Sequence, residues 1–568
     1  MPYDLVIRNG SIVDGSGAPA YRADLGITDG RIAAIGRIRE NGADTIDAEG
    51  HVVTPGFVDG HTHMDAQVFW DPIGSCSCYH GVTSVVMGNC GFTLAPCREE
   101  EADLVFRNLE RAEDIARESM IEGIRWRWET YPEYLDVLDA LPKGINYAGY
   151  IGHSALRTYV MGERAFTEPA GEDDLARMAA IVTEAVRAGA MGFTTSRSPN
   201  HQTADHKPVA SRAASWDEVR AIVGAMGETG AGMFEIAGER TGPEPDRIRD
   251  YHERLKALSV ETGVPVTWGM FASRHAPELW RQYFDLLDET AEAGGRMFAQ
   301  VHSRSLNVLY TFESYTPFDG WDVWRDVRAL PLDEQRVKLA DPTLQAKLVD
   351  IASRPSERHA ARGVTLPPPD WDWLFVMDSM TARNRSLAEL ATERGVAPAQ
   401  AFLDIALEGD LKTLFRHPIN NEVDADVLAM MKHPRSVVTF SDSGAHVSQI
   451  MDSSLQTHIF SHWVREKQAL TLEEAVRMVT FEPATHWGLH NRGLLRVGFA
   501  GDVTVFDPER IGPRMPEIVR DLPGGAKRFR QTANGIAATV VNGKVLLRDN
   551  AHTGAQSGRL LRGPLARA

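Results

Sequence analysis

The stretch TPGFVDGHTHMD, residues 54–65, ends an apolar run with two histidines one residue apart. In a β-strand, residues i and i+2 project from the same face, so His61 and His63 can converge on one point. A metal ion is the usual occupant of such a point. A packed histidine beside a solvated one would give the same short pattern, so the rest of the chain has to decide between the two interpretations.

The composition limits the classes of partner. Lys and Arg number 60 against 78 Asp and Glu, which gives a net charge of −18. This balance argues against non-specific binding to nucleic acid and against docking on anionic membranes. No run of 18 apolar residues occurs, so no membrane-spanning helix is expected. We therefore expect a small-molecule substrate, and assembly into a homo-oligomer stays open.

The N-terminal residues MPYDLVIRNGSIVDG have neither the basic nor the apolar region of a secretory signal. The cysteines cluster without a Cys-x-x-Cys pair, which is a poor pattern for a disulfide framework; they are Cys76, Cys78, Cys90 and Cys97. Both observations predict a cytoplasmic protein.

The two ends of the chain are rich in short strands. Asn-Gly and Asp-Gly pairs lie between alternating apolar runs near the N-terminus. The stretch "ATVVNGKVLLRD" near the C-terminus has the same pattern. Such pairs are typical of tight β-hairpin turns. We expect residues 1–55 and 491–568 to form one small β-sandwich domain built from both chain termini.

The middle of the chain alternates apolar runs with amphipathic helical segments. With the His-x-His strand included, the sequence contains eight βα-like units, which favours an α/β fold of the (β/α)8 TIM-like barrel type over residues 56–490. Residues 305–425 fit this pattern less well. Their scattered prolines, as in "LPPPDWDW", predict an insertion over the barrel mouth.

Polar residues interrupt the apolar strands mainly at the C-terminal ends of the strands. In a βα-barrel these ends form the active face. The residues concerned are His61, His63, Cys90, His153, Arg197, Glu235, His302 and Asp442.

Several motifs together resemble the amidohydrolase superfamily and, within it, the N-acyl-D-amino-acid deacylases, or D-aminoacylases. They are "VVTPGFVDGHTHMD", "GVTSVVMGNCG" around Cys90, "TFSDSGAH" around Asp442 and "THWGLHNRGLLRVGFAGDVTVFD" near the C-terminus. The resemblance covers nearly the whole chain.

The resemblance implies a metal centre. His61 and His63 would be metal ligands, Cys90 the thiolate on the metal, and Asp442 the carboxylate that binds the metal or its water and moves protons. Imidazole and thiolate ligands suit zinc, so we expect about one zinc per chain or another divalent cation in its place. The alternative for Cys90 is a small buried apolar side chain, as is normal for a free cysteine.

The sequence departs from the family pattern at the fifth and sixth strands. D-aminoacylases supply two metal-binding histidines there, whereas "GMFEIAGER" and "PVTWGMFAS" carry Glu235 and Trp268 near those places. The fourth strand, "GAMGFTTSR", also lacks the carboxylated lysine of many relatives, and Cys90 would take its place. The four remaining ligands could also close a tetrahedral structural site, whereas catalysis needs an open position.

Three further histidines are candidates for substrate contact. His446 could orient Asp442 or stabilise an oxyanion. His302 could be a ligand or a substrate contact, or else an ordinary histidine at the barrel rim. His153 lies at another strand end and carries the same two interpretations.

Two charged residues complete the set of candidates. Arg197 is placed to clamp a substrate carboxylate through two parallel hydrogen bonds, and the alternative is a structural ion pair. Glu235 could be a base or a replacement ligand, or a buried carboxylate paired with a nearby arginine.

The expected activity is hydrolysis of an amide C–N bond. A bound divalent metal polarises a carbonyl and lowers the pKa of its water to about 7, and Asp442 could accept and return the proton. By resemblance the substrate would be an N-acyl amino acid, in either configuration. Two alternatives remain: hydrolysis of a cyclic amide on the same fold, and an inactive barrel that serves in binding or assembly.

Overall fold

A computed structural model describes residues 3–242, 244–354, 368–380 and 383–567. The strands of the N-terminal part are β1 (Tyr3–Ile12), β2 (Tyr21–Thr28), β3 (Arg31–Gly36), β4 (Gly42–Asp47) and β5 (Val52–Pro55). Those of the middle are β6 (Phe57–Asp59), β7 (Val82–Met87), β8 (Asn146–Gly149), β9 (Ile151–Gly152), β10 (Gly192–Ser196), β11 (Met233–Ala237), β12 (Val266–Met270), β13 (Met297–Val301), β14 (Leu306–Tyr310), β15 (Phe375–Val376), β16 (Phe415–Asn420) and β17 (Ser436–Val438). The C-terminal strands are β18 (Val503–Phe506), β19 (Gly512–Pro513), β20 (Glu517–Val519), β21 (Arg528–Arg530), β22 (Ala533–Asn534), β23 (Ile536–Val541), β24 (Lys544–Arg548) and β25 (Ala551–His552).

The α-helices lie mostly between the middle strands. They are α1 (Ala102–Ala112), α2 (Arg117–Gly123), α3 (Tyr131–Ala140), α4 (His153–Met161), α5 (Glu172–Ala188), α6 (Trp216–Gly227), α7 (Pro245–Thr262), α8 (Leu279–Glu292), α9 (Asp322–Arg328), α10 (Leu332–Leu339), α11 (Pro342–Ala352), α12 (Leu387–Arg394), α13 (Pro398–Glu408), α14 (Asp424–Lys432), α15 (Leu455–His458), α16 (Leu472–Val479) and α17 (Phe481–His486). In the part of the chain that the structure describes, none of these helices has the length and apolar character needed to cross a bilayer.

Capping side chains explain where several helices begin. At the start of α16, Thr471 Oγ1 accepts a hydrogen bond from the Glu474 backbone, and the Glu474 side chain accepts one from the Thr471 backbone. This reciprocal capping box satisfies two N–H groups that the first helical turn leaves without partners. The same arrangement starts α3 and α12.

Strands from both chain termini pair in one sheet. Its order is β25-β24-β23-β18-β5-β1-β2-β3, with β4 pairing β1. Two of the predicted hairpin turns are confirmed: Asp29-Gly30 joins β2 to β3, and Asn542-Gly543 joins β23 to β24. All four residues have positive φ, from 45° to 78°. Asn, Asp and Gly tolerate that backbone conformation best, which is why these pairs form the turns. The prediction is wrong for Asn9-Gly10, which lies inside β1 where the register with β2 shifts.

The middle strands pair in parallel. One set has the order β6-β7-β8 and the other β9-β10-β11-β12-β13-β17. Tyr150 alone separates β8 from β9, and a parallel bridge between Thr62 and Ser443 joins the segments that follow β6 and β17. Each of the eight predicted stretches contains a strand, and helices lie between most of them. The predicted mixed α/β class is confirmed, and the strands place their C-terminal ends on one side.

The described residues of the predicted insertion, 305–354, 368–380 and 383–425, form a separate layer with its own apolar core; the rest of the insertion, with the start of "LPPPDWDW", lies outside the described residues. The strands of this layer pair antiparallel in the order β14-β16-β15. Helices α9–α13 pack beside them around a cluster that includes Tyr310, Phe318, Trp324 and Phe402. This layer supplies Leu306 to the wall of the cavity described below.

Candidate metal centre

His61 and His63 lie in the segment that follows β6, and neighbouring strands hold that segment in place. Asp59 Oδ1 accepts hydrogen bonds from the His61 backbone at 3.2 Å and from Thr439 Oγ1 at 2.8 Å. Both imidazoles are buried, with ring centroids 5.4 Å apart. His61 Nδ1 lies 2.6 Å from Gln300 Oε1, which leaves Nε2 as the nitrogen that faces the cluster.

Cys90 reaches the same point from the end of β7. Its backbone has φ 55°, a conformation that an L-residue rarely adopts. Its Sγ lies 3.5 Å from His61 Nε2. One ligand atom from each of His61, His63 and Cys90 lies within 4.8 Å of the others, so the structure brings these three predicted residues together.

Asp442 approaches from the segment after β17. Its Oδ1 lies 3.1 Å from His63 Nε2 and 3.6 Å from His61 Nε2. Its backbone has φ 57° and donates a hydrogen bond to the His61 carbonyl at 3.2 Å. Two residues later, Gly444 has φ 97°, and a Cβ there would lie 2.4 Å from the His63 carbonyl oxygen. The "DSGAH" turn therefore requires glycine to pack against the histidines.

The cluster has a surplus of buried acidic groups. Burial raises the pKa of Glu113 to about 7 and that of Glu235 to about 8, and it raises the pKa of the Cys90 thiol well above its ordinary value. Burial would lower the pKa of His63, but Glu113 and Asp442 raise it to about 9. Among the described residues, the ion pairs of Glu113 and Asp442 are with histidines. A cation would balance this surplus, and imidazole, thiolate and carboxylate donors fit zinc.

A cavity of 440 Å³ opens at the cluster. Its polar wall includes Glu113 and His201, which the sequence did not single out. His201 Nδ1 lies 2.6 Å from Ser196 Oγ, which fixes the orientation of the ring. Burial and the neighbouring His446 lower the pKa of His201 to about 3. Trp268 and Phe440 supply part of the apolar wall.

Glu235 and His446, two of the predicted candidates, also line this cavity. Glu235 Oε2 accepts a hydrogen bond from the Cys90 backbone at 2.7 Å, and its Oε1 lies 4.0 Å from Cys90 Sγ. No arginine pairs with Glu235 in the described ranges. His446 Nε2 lies 3.8 Å from both Asp442 Oδ2 and Glu113 Oε2.

The structure does not bring His153 or His302 into the wall of the cavity. Both ring nitrogens of His153 are engaged inside the protein, Nδ1 at 2.8 Å from Thr195 Oγ1 and Nε2 at 2.9 Å from Glu218 Oε1. His302 is fully buried, and its Nδ1 lies 3.1 Å from the Arg304 carbonyl oxygen. A strand end can point into the protein as well as into the cavity, and sequence does not distinguish the two.

Arg197 also stays outside the cavity wall. It contacts Glu239 Oε1 at 3.4 Å and donates a hydrogen bond to the Ala214 carbonyl. Arg254 holds the same carboxylate with two hydrogen bonds of 3.0 Å. The geometry is that of the structural ion pair, the alternative interpretation of Arg197. The arginine that does line the cavity is Arg240, which is exposed and has no ion pair with any described residue.

The chain is similar to known proteins over nearly its whole length. A model of the amidohydrolase family matches residues 44–547. An uncharacterized protein of Mycobacterium tuberculosis is 29% identical, and the match covers 99% of this chain and 96% of that protein. A D-aminoacylase of Alcaligenes xylosoxydans is 27% identical, with coverage of 99% and 98%.

A solved structure has a similar fold. It is the N-acyl-D-glutamate deacylase from Bordetella bronchiseptica, complexed with zinc and a phosphonate inhibitor that mimics the tetrahedral intermediate. The TM-score is 0.65 and the identity 22%, and the match covers 99% of this chain and all of that one. The predicted resemblance is confirmed, and because the family model matches most of its length, this chain belongs to the amidohydrolase family.

Proposed function

We propose that this protein is a metal-dependent hydrolase that removes the acyl group from an N-acyl amino acid, with the D configuration favoured by its relatives. The observation that carries the proposal is the convergence of His61, His63 and Cys90 from the ends of two neighbouring strands, with Asp442 in contact with both imidazoles. The similarity to D-aminoacylases over nearly the full length supports the same reaction class.

His61, His63, Cys90 and Asp442 would hold the metal, most simply one zinc ion. Such an ion, when bound, polarises a carbonyl and lowers the pKa of water. Of the four, Asp442 has an oxygen to spare: its Oδ1 faces the two imidazoles, whereas its Oδ2 lies toward His446. We assign to Asp442 Oδ2 the acceptance of a proton from water and its return to the leaving amine.

The cavity wall would position the substrate. His201, held by Ser196 through Nδ1, would use Nε2 as a hydrogen-bonding group, and Trp268 and Phe440 offer an apolar surface for an acyl chain. Arg240 forms no ion pair with the described residues, and we assign it to the carboxylate of an amino-acid substrate. These assignments replace the predicted clamp by Arg197.

The proposal also covers closure of the barrel, the domain formed by the chain termini and the cellular location. The Thr62–Ser443 bridge supports closure of the parallel strands into a (β/α)8 barrel over residues 56–490, with an insertion at 305–425. The shared terminal sheet supports a domain formed by 1–55 and 491–568. We propose a cytoplasmic enzyme that acts on small amides.

Metal analysis combined with a substrate panel tests this function. Protein purified without chelator is assayed for metal content and for amine release from N-acyl D- and L-amino acids and cyclic amides. Zinc near one per chain, with cleavage of an N-acyl amino acid that chelation abolishes, is the expected result. If only cyclic amides are cleaved, the substrate class is cyclic amides and not N-acyl amino acids. An empty site without turnover would favour a binding or assembly protein.

A further inference from the structure

Glu113 lies against the metal centre from outside the parallel strands. It directly follows α1, and its side chain is only 1% exposed. Its Oε2 lies 3.6 Å from His63 Nε2 and 3.8 Å from His446 Nε2. A fourth segment of the chain, after those that follow β6, β7 and β17, therefore brings an acidic group to the same point.

Backbone hydrogen bonds fix this position. The His446 N–H donates to the Glu113 carbonyl at 2.6 Å, and the Glu113 N–H donates to the Leu109 carbonyl at 3.0 Å. The next residue, Asp114, accepts a hydrogen bond from the Ser448 backbone at 3.4 Å. Glu113 is thus held beside the "DSGAH" segment by its own main-chain hydrogen bonds and by the side chain of Asp114.

No lysine or arginine among the described residues pairs with this carboxylate. Within the described part of the chain, Oε1 is buried without a hydrogen bond, and the ion-pair contacts of Oε2 are to imidazoles. Two other glutamates of the cavity are already satisfied: Cys90 N–H donates to Glu235 at 2.7 Å, and Arg254 holds Glu239. Because a buried polar oxygen without a partner costs free energy, the orphaned Oε1 indicates a ligand that the protein itself does not supply.

The spacing of the donor atoms fits coordination. Ligands about 2.0–2.1 Å from a tetrahedral zinc lie roughly 3.3 Å from one another. His63 Nε2 is 3.1 Å from Asp442 Oδ1 and 3.6 Å from Glu113 Oε2. His446 Nε2 is 3.8 Å from each carboxylate. These four side chains form a closed ring of contacts beside the His61–Cys90 pair.

We propose that Glu113 is a ligand of the metal centre and takes the place of the histidine ligands that β11 and β12 lack. The carboxylate enters from the loop after α1, and His446 lies beside it at the same face of the centre. This inference rests on the proposed function, because it requires the metal that His61, His63 and Cys90 would hold.

The test compares Glu113→Gln with the wild-type protein and with Glu118→Gln. Glu118 is an exposed glutamate five residues along, so its variant removes one charge without touching the site. Zinc affinity is measured by chelator competition, and the cobalt-substituted protein is examined by visible absorption. Circular dichroism and the melting temperature of the metal-free proteins establish that the variants fold.

Loss of Glu113 as a ligand should weaken zinc binding by more than about 100-fold, beyond the 10–100-fold that loss of an outer partner costs. The cobalt d–d bands should change shape in Glu113→Gln and not in Glu118→Gln. A smaller loss of affinity with unchanged cobalt bands would overturn the ligand role. A wild-type protein that binds no metal would instead remove the proposed function, so the two failures are distinct.

Discussion

Gln300 Oε1 lies 2.6 Å from His61 Nδ1, and the amide nitrogen of Gln300 donates to Thr267 Oγ1 at 3.2 Å. An amide oxygen can only accept, so Nδ1 of His61 carries the proton and Nε2 keeps its lone pair. That lone pair faces Cys90 Sγ at 3.5 Å. A residue on β13 thus selects the tautomer that a metal ligand needs.

Replacing Gln300 with Leu should weaken metal binding by about 10–100-fold, the usual cost of removing the partner that orients a metal-binding histidine. The physical reason is that His61 is then free to rotate or to change tautomer. Chelator competition measures the effect. Gln300→Glu keeps an acceptor for Nδ1 and should retain most of the affinity. Equal affinities for the wild type and Gln300→Leu would show that the contact does not tune the site.

Arg240→Ala should raise KM for N-acyl amino acids by about 10–100-fold with little change in kcat. A hydrogen bond to a charged group contributes about 1.5–3 kcal/mol, and one that is equally strong in substrate and transition state appears in KM. Steady-state kinetics with a substrate and its primary amide, which lacks the carboxylate, measure the effect. The wild type should prefer the acid, and Arg240→Ala should lose that preference.

Arg197→Ala is the matched control for Arg240, because Arg197 does not line the cavity and is paired with Glu239. It should leave the ratio of KM values for acid and amide unchanged. The opposite outcome, a preference lost in Arg197→Ala and kept in Arg240→Ala, would restore the clamp first predicted from the sequence.

The buried pair of Glu218 and Arg157 should make stability depend on pH in acid. Arg157 Nη1 lies 2.5 Å from both oxygens of Glu218, and His153 lies 2.9 Å from one of them. Burial opposes ionisation, but His153 and Arg157 lower the pKa of Glu218 to about 2 from its usual 4.5. A lowered carboxyl pKa stabilises the folded state above pH 4.5, and this contribution is lost as the pH falls toward 2.

Glu218→Gln should therefore unfold more easily than the wild type by about 3 kcal/mol at pH 7, where it leaves Arg157 without its anion. The difference should shrink by on the order of 2 kcal/mol by pH 3, because the carboxyl of the unfolded wild type takes up a proton below pH 4.5 whereas that of the folded protein stays ionised until about pH 2. Urea unfolding at the two pH values measures both numbers. Glu184→Gln, an exposed position on α5, should change neither. A difference that is constant with pH would contradict the assignment.

The sequence predicted the parts of the fold and site that depend on local pattern. Alternating apolar runs and Asn-Gly or Asp-Gly pairs indicated the strands and hairpins. His61, His63 and Cys90 could be singled out because each directly follows an apolar strand. Their roles as metal ligands stay proposals, but their approach to one another agrees with the prediction.

Residues whose importance depends on packing could not be found in this way. Glu113 ends a helix in "LERAEDI", where an acidic residue is normally solvated, and only the folded chain shows that it is buried. Gln300 lies inside a strand and gives no signal of its own. For the same reason the sequence singled out His153, His302 and Arg197, which do not line the cavity. Their side chains lie in the protein interior or in an ion pair.

The central claim is that His61, His63, Cys90 and Asp442 surround one cation, and anomalous diffraction at the zinc absorption edge tests it most directly. Crystals of the protein purified without chelator should give one strong peak at about 2.0–2.1 Å from Nε2 of both histidines and about 2.3 Å from Cys90 Sγ. Absence of any peak at this cluster, or a peak beyond bonding distance of the sulfur, would contradict the account.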